Sequence, residues 1–206
     1  MYPDDSIYQR RYTVEEYFTL EEQSDVRHEY YHGEVFPLDG AGSPEGMAGG
    51  TKSHNRLIQN CAFALRTGLR GGPCEVFAEN VKLALANGKH FNYPDIVVSG
   101  DPDDDDPRTV HRPTLVIEVL SKSTEARDRG WKFEQYQALP SLQQYVLISQ
   151  YRILVDSFVR TSHGTWELTP LRQADDVLQL PTLGLSIPLA AIYERISPIP
   201  VRLAYE

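Results

Sequence analysis

The sequence predicts a mixed α/β (α+β) fold in which a central mixed β-sheet is flanked by helices. Three observations predict it. Thr114-Leu115-Val116-Ile117-Glu118-Val119-Leu120 is a near-continuous apolar run, the pattern of a strand buried on both faces. Leu57, Ile58, Cys61, Ala64 and Leu65 recur at helical spacing. Two strand-like runs, 75–86 and 90–99, are joined by Asn87-Gly88, a hairpin signal. In 206 residues, helices and strands interleaved in this way suit a single domain spanning 1–206.

Taken in chain order, Thr13-Val14-Glu15-Glu16 has capping-box spacing, with Tyr12 and Tyr17 placed to staple the start of a helix. That helical stretch is expected to continue toward Arg27, His28 and Glu29. Gly33 breaks it, and Glu34 to Leu38 read as a strand. Gly40 to Gly50 is Gly-rich and reads as a turn or loop. A helix over about 51–69 stops at Gly71-Gly72-Pro73. After the two strand-like runs comes an acidic loop, Pro102 to Pro107, which reads as a solvated connection. Ser123 or Thr124 caps a helix reaching about Leu139, where Pro140 ends it. Leu142 to Ile148, Ile153 to Phe158 and Trp166 to Leu171 read as strands. Short strands and a final short helix follow Pro181.

The charge balance is −9, and Asp101, Asp103, Asp104, Asp105 and Asp106 account for more than half of it. A protein that coats nucleic acid draws on a basic surface, so any nucleic-acid contact here must be local. Cys61 and Cys74 build neither a disulfide framework nor a four-cysteine zinc site. No apolar run approaches the ~20 residues of a membrane span, and no basic-then-apolar leader follows Met1. A soluble, cytoplasmic protein is the expectation. The six histidines lack zinc-ligand spacing, and no phosphate-cradling glycine loop or Gly-x-Ser-x-Gly elbow is present.

The informative residue is Glu118, a carboxylate in the middle of an apolar strand. Burial there demands a cation, a hydrogen-bond network or a metal. Strand alternation puts Val116, Glu118 and Leu120 on one face, and Leu115, Ile117 and Val119 on the other. Asp95, after Pro94 at the start of Ile96-Val97-Val98, converges on Glu118 if the two runs pair. Two carboxylates on adjacent strands make a cradle for a hard divalent ion such as magnesium. The plainer alternative has Asp95 capping a turn and Glu118 paired to an arginine. Asp128 and Lys132 share a helix face, with Gln135 near them. There the Lys132 ammonium is placed to orient a water and stabilise charge on phosphate. Glu29 is a weaker candidate for holding a metal-bound water, and His54 could touch phosphate or be structural. Arg127 and Arg129 are candidate phosphate contacts.

Assembled in order, Tyr12 to Tyr17, His28-Glu29-Tyr30-Tyr31-His32-Gly33-Glu34-Val35, Ser53-His54-Asn55-Arg56, Tyr93-Pro94-Asp95, Val116 to Ser121, and Asp128 to Tyr136 resemble the Uma-type restriction-endonuclease-like family of the PD-(D/E)XK nuclease superfamily. The likeness covers about residues 12–195. It implies a restriction-endonuclease-like core and a metal-dependent DNA endonuclease acting as a homodimer. Pro94-Asp95 matches the PD element and Glu118 the acid of (D/E)XK. The lysine expected two residues later is Leu120, and a lysine from the following helix, Lys132, is the implied replacement, with Lys122 the lesser one. The resemblance implies Mg2+ (or Mn2+) held by Asp95, Glu118 and the Val119 carbonyl. Two alternatives stand beside it: a catalytically inactive binding or scaffold module, and a phosphoesterase acting on a small or RNA substrate.

Overall fold

A computed structural model describes residues 5–38 and 51–197; the expected Gly40–Gly50 loop lies outside them. Helix α1 (Val14–Gln23) begins as its sequence dictates. Thr13 Oγ1 accepts from the Glu16 amide at 3.2 Å, and the Glu16 carboxylate accepts from the Thr13 amide at 2.8 Å. Its expected continuation toward Glu29 does not occur. The chain instead enters β1 (His28–Tyr31), which pairs with β2 (Glu34–Pro37) in register Tyr30↔Val35. The cause is the turn between them: His32 (φ 48°) and Gly33 (φ 93°) are both left-handed, the requirement of a two-residue hairpin whose twist matches its strands. Gly33 is a hairpin residue, not a helix stop.

Helix α2 (Lys52–Gly68) follows its expected span and buries Leu57, Ile58, Cys61 and Leu65. Each of the next two strand-like runs divides. The first gives β3 (Glu75–Ala78) and β4 (Lys82–Leu85), separated at Glu79 and Asn80, which both have positive φ. The second gives β5 (His90–Asn92) and β6 (Ile96–Ser99), separated at Tyr93-Pro94-Asp95. These breaks let one stretch of sequence serve two sheets. After the acidic loop come β7 (Thr109–Val110) and β8 (Pro113–Leu120). The helix then begins as α3 (Glu125–Arg127), passes through a π-helical turn at Asp128–Lys132, and ends as α4 (Phe133–Gln137). Strands β9 (Gln144–Ser149), β10 (Val155–Arg160), β11 (Trp166–Leu171), β12 (Val177–Leu180) and β13 (Leu185–Pro188) precede α5 (Leu189–Ile192).

The central sheet has the order β11-β10-β9-β8-β6-β3 and is mixed: β8 and β9 run parallel and the other pairs antiparallel. One face carries Leu115, Ile117 and Val119 against α2, the β12–β13 hairpin and α5. The other carries Val116 and Leu120 against Tyr136, Leu139 and Tyr145. A second sheet, β2-β1-β5-β4-β7, lies beyond that helix and was not separable in the sequence from the first. Its apolar face packs Tyr30 and Phe91 on Tyr17 of α1. Its polar face presents Glu29, His90 and Asn92 to the helix over 125–137.

Candidate active site

Strands β6 and β8 pair antiparallel with Ile96 opposite Ile117, so Asp95 arrives opposite Glu118 just where the β6 ladder ends. Strand pairing ends at Ile96 opposite Ile117, so the Val119 amide lies beyond the ladder. Asp95 fills the gap: its Oδ2 accepts from the Val119 amide at 2.6 Å. Its own amide donates to Glu118 Oε2 at 3.3 Å. The two acids are thus fastened together through backbone groups. The side chain of Val119 points into the opposite apolar core, so any contribution from this residue is through its backbone.

Glu118 is 3% exposed, and its remaining oxygen is shared. Oε1 accepts from Lys132 Nζ at 3.1 Å and from the Tyr136 hydroxyl at 2.9 Å. Tyr136 in turn accepts from Asn92 Nδ2 at 2.9 Å. Lys132 Nζ also lies 2.9 Å from Asp128 Oδ1. Asp128 and Lys132 both reach inward because residues four apart share one helix face, here across a π-helical turn that buries both. Tyr136 was not marked in the sequence, although it sits four residues beyond Lys132 on a helix, and that spacing was the available signal.

His54 stands in the first turn of α2, with Nε2 3.3 Å from Asp95 Oδ1. Burial pulls its pKa down, but the Asp95 hydrogen bond and the charges of Asp95, Glu118 and Glu79 outweigh burial and raise it. Glu29 is on β1, buried and ion-paired to Arg127, where a helical position was expected. Arg127 also lies over the Trp131 ring, 5.1 Å from its centroid. Three residues named from the sequence are not brought to the acids. Lys122 is exposed. Arg129 pairs instead with Glu125 and Asp156, at 2.9 and 2.7 Å. Gln135 turns to His90, with Oε1 3.1 Å from its Nδ1.

Electrostatically the centre is short of positive charge. Burial pushes the Glu118 carboxyl well above the usual carboxylate range. Lys132 holds it down, while Asp128 and Asp95 push it further up. Lys132 itself stays charged, because Glu118, Asp128 and Glu29 more than offset its burial. Asp95, Glu118, Asp128 and Glu29 face Lys132 and Arg127, with His54 beside them. A divalent cation fits this surplus and this set of hard oxygen donors. Among the described residues no group of three or more His, Cys, Asp or Glu side chains is placed to hold a metal ion. Such an ion would therefore complete its shell with backbone and water oxygens, the habit of magnesium.

A mixed sheet flanked by helices is the architecture this chain shares with a nuclease-fold protein. Comparison with known proteins gives the same answer. Residues 14–190 match the Uma2 family, described as putative restriction endonuclease. A protein of Synechocystis, described as uncharacterized, is 35% identical over 180 residues, covering 87% of this chain and 90% of the relative. A second Synechocystis protein of the same description is 32% identical over 162 residues, 77% of this chain and 86% of the relative. The crystal structure of a putative nuclease of the DUF820 group from Anabaena variabilis aligns with TM-score 0.67 at 14% identity. That alignment covers 88% of this chain and 97% of the other. The chain belongs to the Uma2 family of putative restriction endonucleases.

Among the described residues no helix is long and apolar enough to cross a membrane.

Proposed function

We propose that this protein is a metal-dependent phosphodiester hydrolase, a DNA endonuclease of the PD-(D/E)XK type using Mg2+, with Mn2+ as substitute. The observation that carries the reading is the Lys132 ammonium, 3.1 Å from Glu118. It arrives from the helix after β8 and supplies the charge that Leu120, buried in the core, lacks. Asp95, Glu118 and the Val119 carbonyl would hold the cation. When bound, such an ion lowers the pKa of a coordinated water and neutralises charge on the scissile phosphate. The chain's own groups do the rest. Lys132 orients the attacking water and balances charge as the phosphate is attacked. Tyr136, fixed by Asn92, keeps Glu118 aimed. Glu29 holds Arg127 at the rim, where the guanidinium can meet a neighbouring phosphate.

Supercoiled plasmid incubated with protein and magnesium, beside a Glu118→Ala control, tests the reading. Nicked and linear DNA with the parent and none with the control supports it. Equal cleavage by both, or by a folded Asp95→Ala variant, overturns the assignment. A second reading, an inactive nuclease-fold scaffold, is favoured by the double engagement of Lys132 with Glu118 and Asp128. Calorimetric titration with magnesium or manganese separates the two, since a decayed centre binds neither. A panel of DNA, RNA and small phosphodiesters fixes the substrate. We further propose one domain over residues 1–206, working in the cytoplasm as a homodimer so that each centre cuts one strand; sedimentation tests the stoichiometry.

A further inference from the structure

His54 is used by none of the steps above, yet it closes a ring of contacts around the acid pair. Asp95 Oδ2 takes the Val119 amide, and Asp95 Oδ1 takes His54 Nε2. The His54 amide donates to Thr51 Oγ1 at 3.0 Å. The Thr51 hydroxyl donates to Gln150 Oε1, and Gln150 Nε2 donates to the Leu120 carbonyl at 2.9 Å. Leu120 follows Val119 in the chain, so the circuit returns to its start. Gln150 is 1% exposed, so this end of the link is anchored in the interior, while Thr51 lies at the surface.

We infer that His54 is a positioning residue for Asp95, and that the Thr51–Gln150 link exists to register the start of α2 against the end of β8. The inference rests on the reading of Asp95 as a cation-holding carboxylate. Its physical basis is the softness of the aspartate side chain. The terminal torsion of Asp is broad and roughly two-fold, so one hydrogen bond leaves the carboxylate plane loosely set. Restraint of one oxygen by a backbone amide and of the other by an imidazole, from two different elements, fixes that plane before any ion arrives. The Val119 amide alone cannot do so, because the strand it belongs to restrains only Oδ2. His54 acts only through Asp95, since its Nε2 is already spent on that carboxylate. Groups that orient a ligating carboxylate in this way typically contribute about 10–100-fold in metal affinity or activity.

The test is manganese binding to the full chain, followed by calorimetry and by the electron paramagnetic resonance of the free ion. The variants are His54→Ala, His54→Gln and Gln150→Leu, with Asp95→Asn as reference and circular dichroism as the fold control. The expected result is a dissociation constant raised about 10–100-fold in His54→Ala. Most of that loss should be restored in His54→Gln, whose amide can donate in place of the imidazole. A smaller shift in the same direction is expected in Gln150→Leu. Cleavage by His54→Ala should recover with excess manganese, showing the defect in the metal constant and not in the maximal rate. Parent-like manganese affinity in folded His54→Ala overturns the inference while leaving the role of Asp95 standing. If His54→Ala does not fold, the inference is judged on His54→Gln and Gln150→Leu, and parent-like affinity in Gln150→Leu overturns it. No manganese binding by the parent protein overturns the reading of Asp95 itself, and this inference with it.

Discussion

Two acid-rich regions occupy opposite ends of β6 and β8, and they are electrostatic opposites. At one end the aspartates of the loop over 101–106 are met by donors. Asp104 accepts from the His111 and Arg112 amides at 2.9 and 2.8 Å and from the Ser99 hydroxyl at 2.9 Å. Asp106 accepts from the Arg108 and Thr109 amides, and Asp101 from the Asp103 amide and Arg112. The Asp103 amide, with Arg112 assisting, holds the Asp101 carboxyl below its ordinary value. Asp106 is likewise lowered, its amide and His111 partners outweighing a partial burial that acts the other way. At the other end Glu118 is buried and pushed up, and Asp128, 1% exposed, faces Lys132 without a well-formed hydrogen bond. Acid content does not distinguish the two regions; donor supply does. The loop is satisfied by its own backbone, whereas the centre retains an electrostatic debt that a cation would relieve. The net charge of −9 therefore says little against a local nucleic-acid contact, since much of it resides at the end away from the centre.

Lys132 carries the largest share of the difference between the two regions. Lys132→Ala should cost about 3–5 kcal/mol by chemical denaturation, because Glu118 and Asp128 are left buried without their cation. A loss under ~1 kcal/mol would mean that water already screens the pair. Next in size is stabilisation of the parent by magnesium or manganese, about 2.7 kcal/mol at roughly 100 times the dissociation constant. It should vanish in Glu118→Gln and persist in Asp104→Ala. That second variant should itself cost about 2–4 kcal/mol through three lost hydrogen bonds and leave plasmid cleavage untouched.

The smallest effects concern pH, and their signs differ between the ends. Glu118 binds its proton more tightly folded than unfolded. Its contribution to stability is therefore full below the unfolded value and is lost as pH rises through the raised folded value. Cation and proton also compete for this carboxylate, so metal affinity should fall as pH is lowered through its raised folded value of about 8. Asp101 behaves conversely: its stabilisation is present above the unfolded value and is lost as pH falls through the depressed one. Stability profiles of Glu118→Gln and Asp101→Asn should flatten on the alkaline and acid sides respectively. Flattening of both on the same side would show that the two regions share one electrostatic environment.

Much of this was legible in the residues. An acid inside Leu-Val-Ile-Glu-Val-Leu announces a buried compensated charge, and Pro94-Asp95 before an apolar run marks its partner. Leu120 stands where the family resemblance expects a lysine, which made Lys132, and less so Lys122, the candidate source of an ammonium. Other features were hidden for physical reasons. Glu29 lies on a strand and not at a helix end because Glu-Tyr-Tyr-His-Gly suits either, and only pairing with β5 and β2 selects the strand. The two sheets were inseparable because Glu79-Asn80 and Tyr93-Pro94-Asp95 are short interruptions of strand-like runs, and only the pairing of each half with different partners divides them. The π turn left no mark, since Asp128 and Lys132 are four residues apart in either kind of helix.

The sequence by itself determined the strands and helices that local periodicity and capping encode, and the presence of a buried carboxylate needing a partner. Tertiary structure alone decided which groups answer it. Lys132 is 14 residues from Glu118, and Thr51 is 99 from Gln150. Over such separations the topology of chain crossings, and not neighbouring side chains, sets which atoms meet. Propensity acts over a few residues, whereas the ion pairs of this centre form only once two sheets and two helices have closed around it.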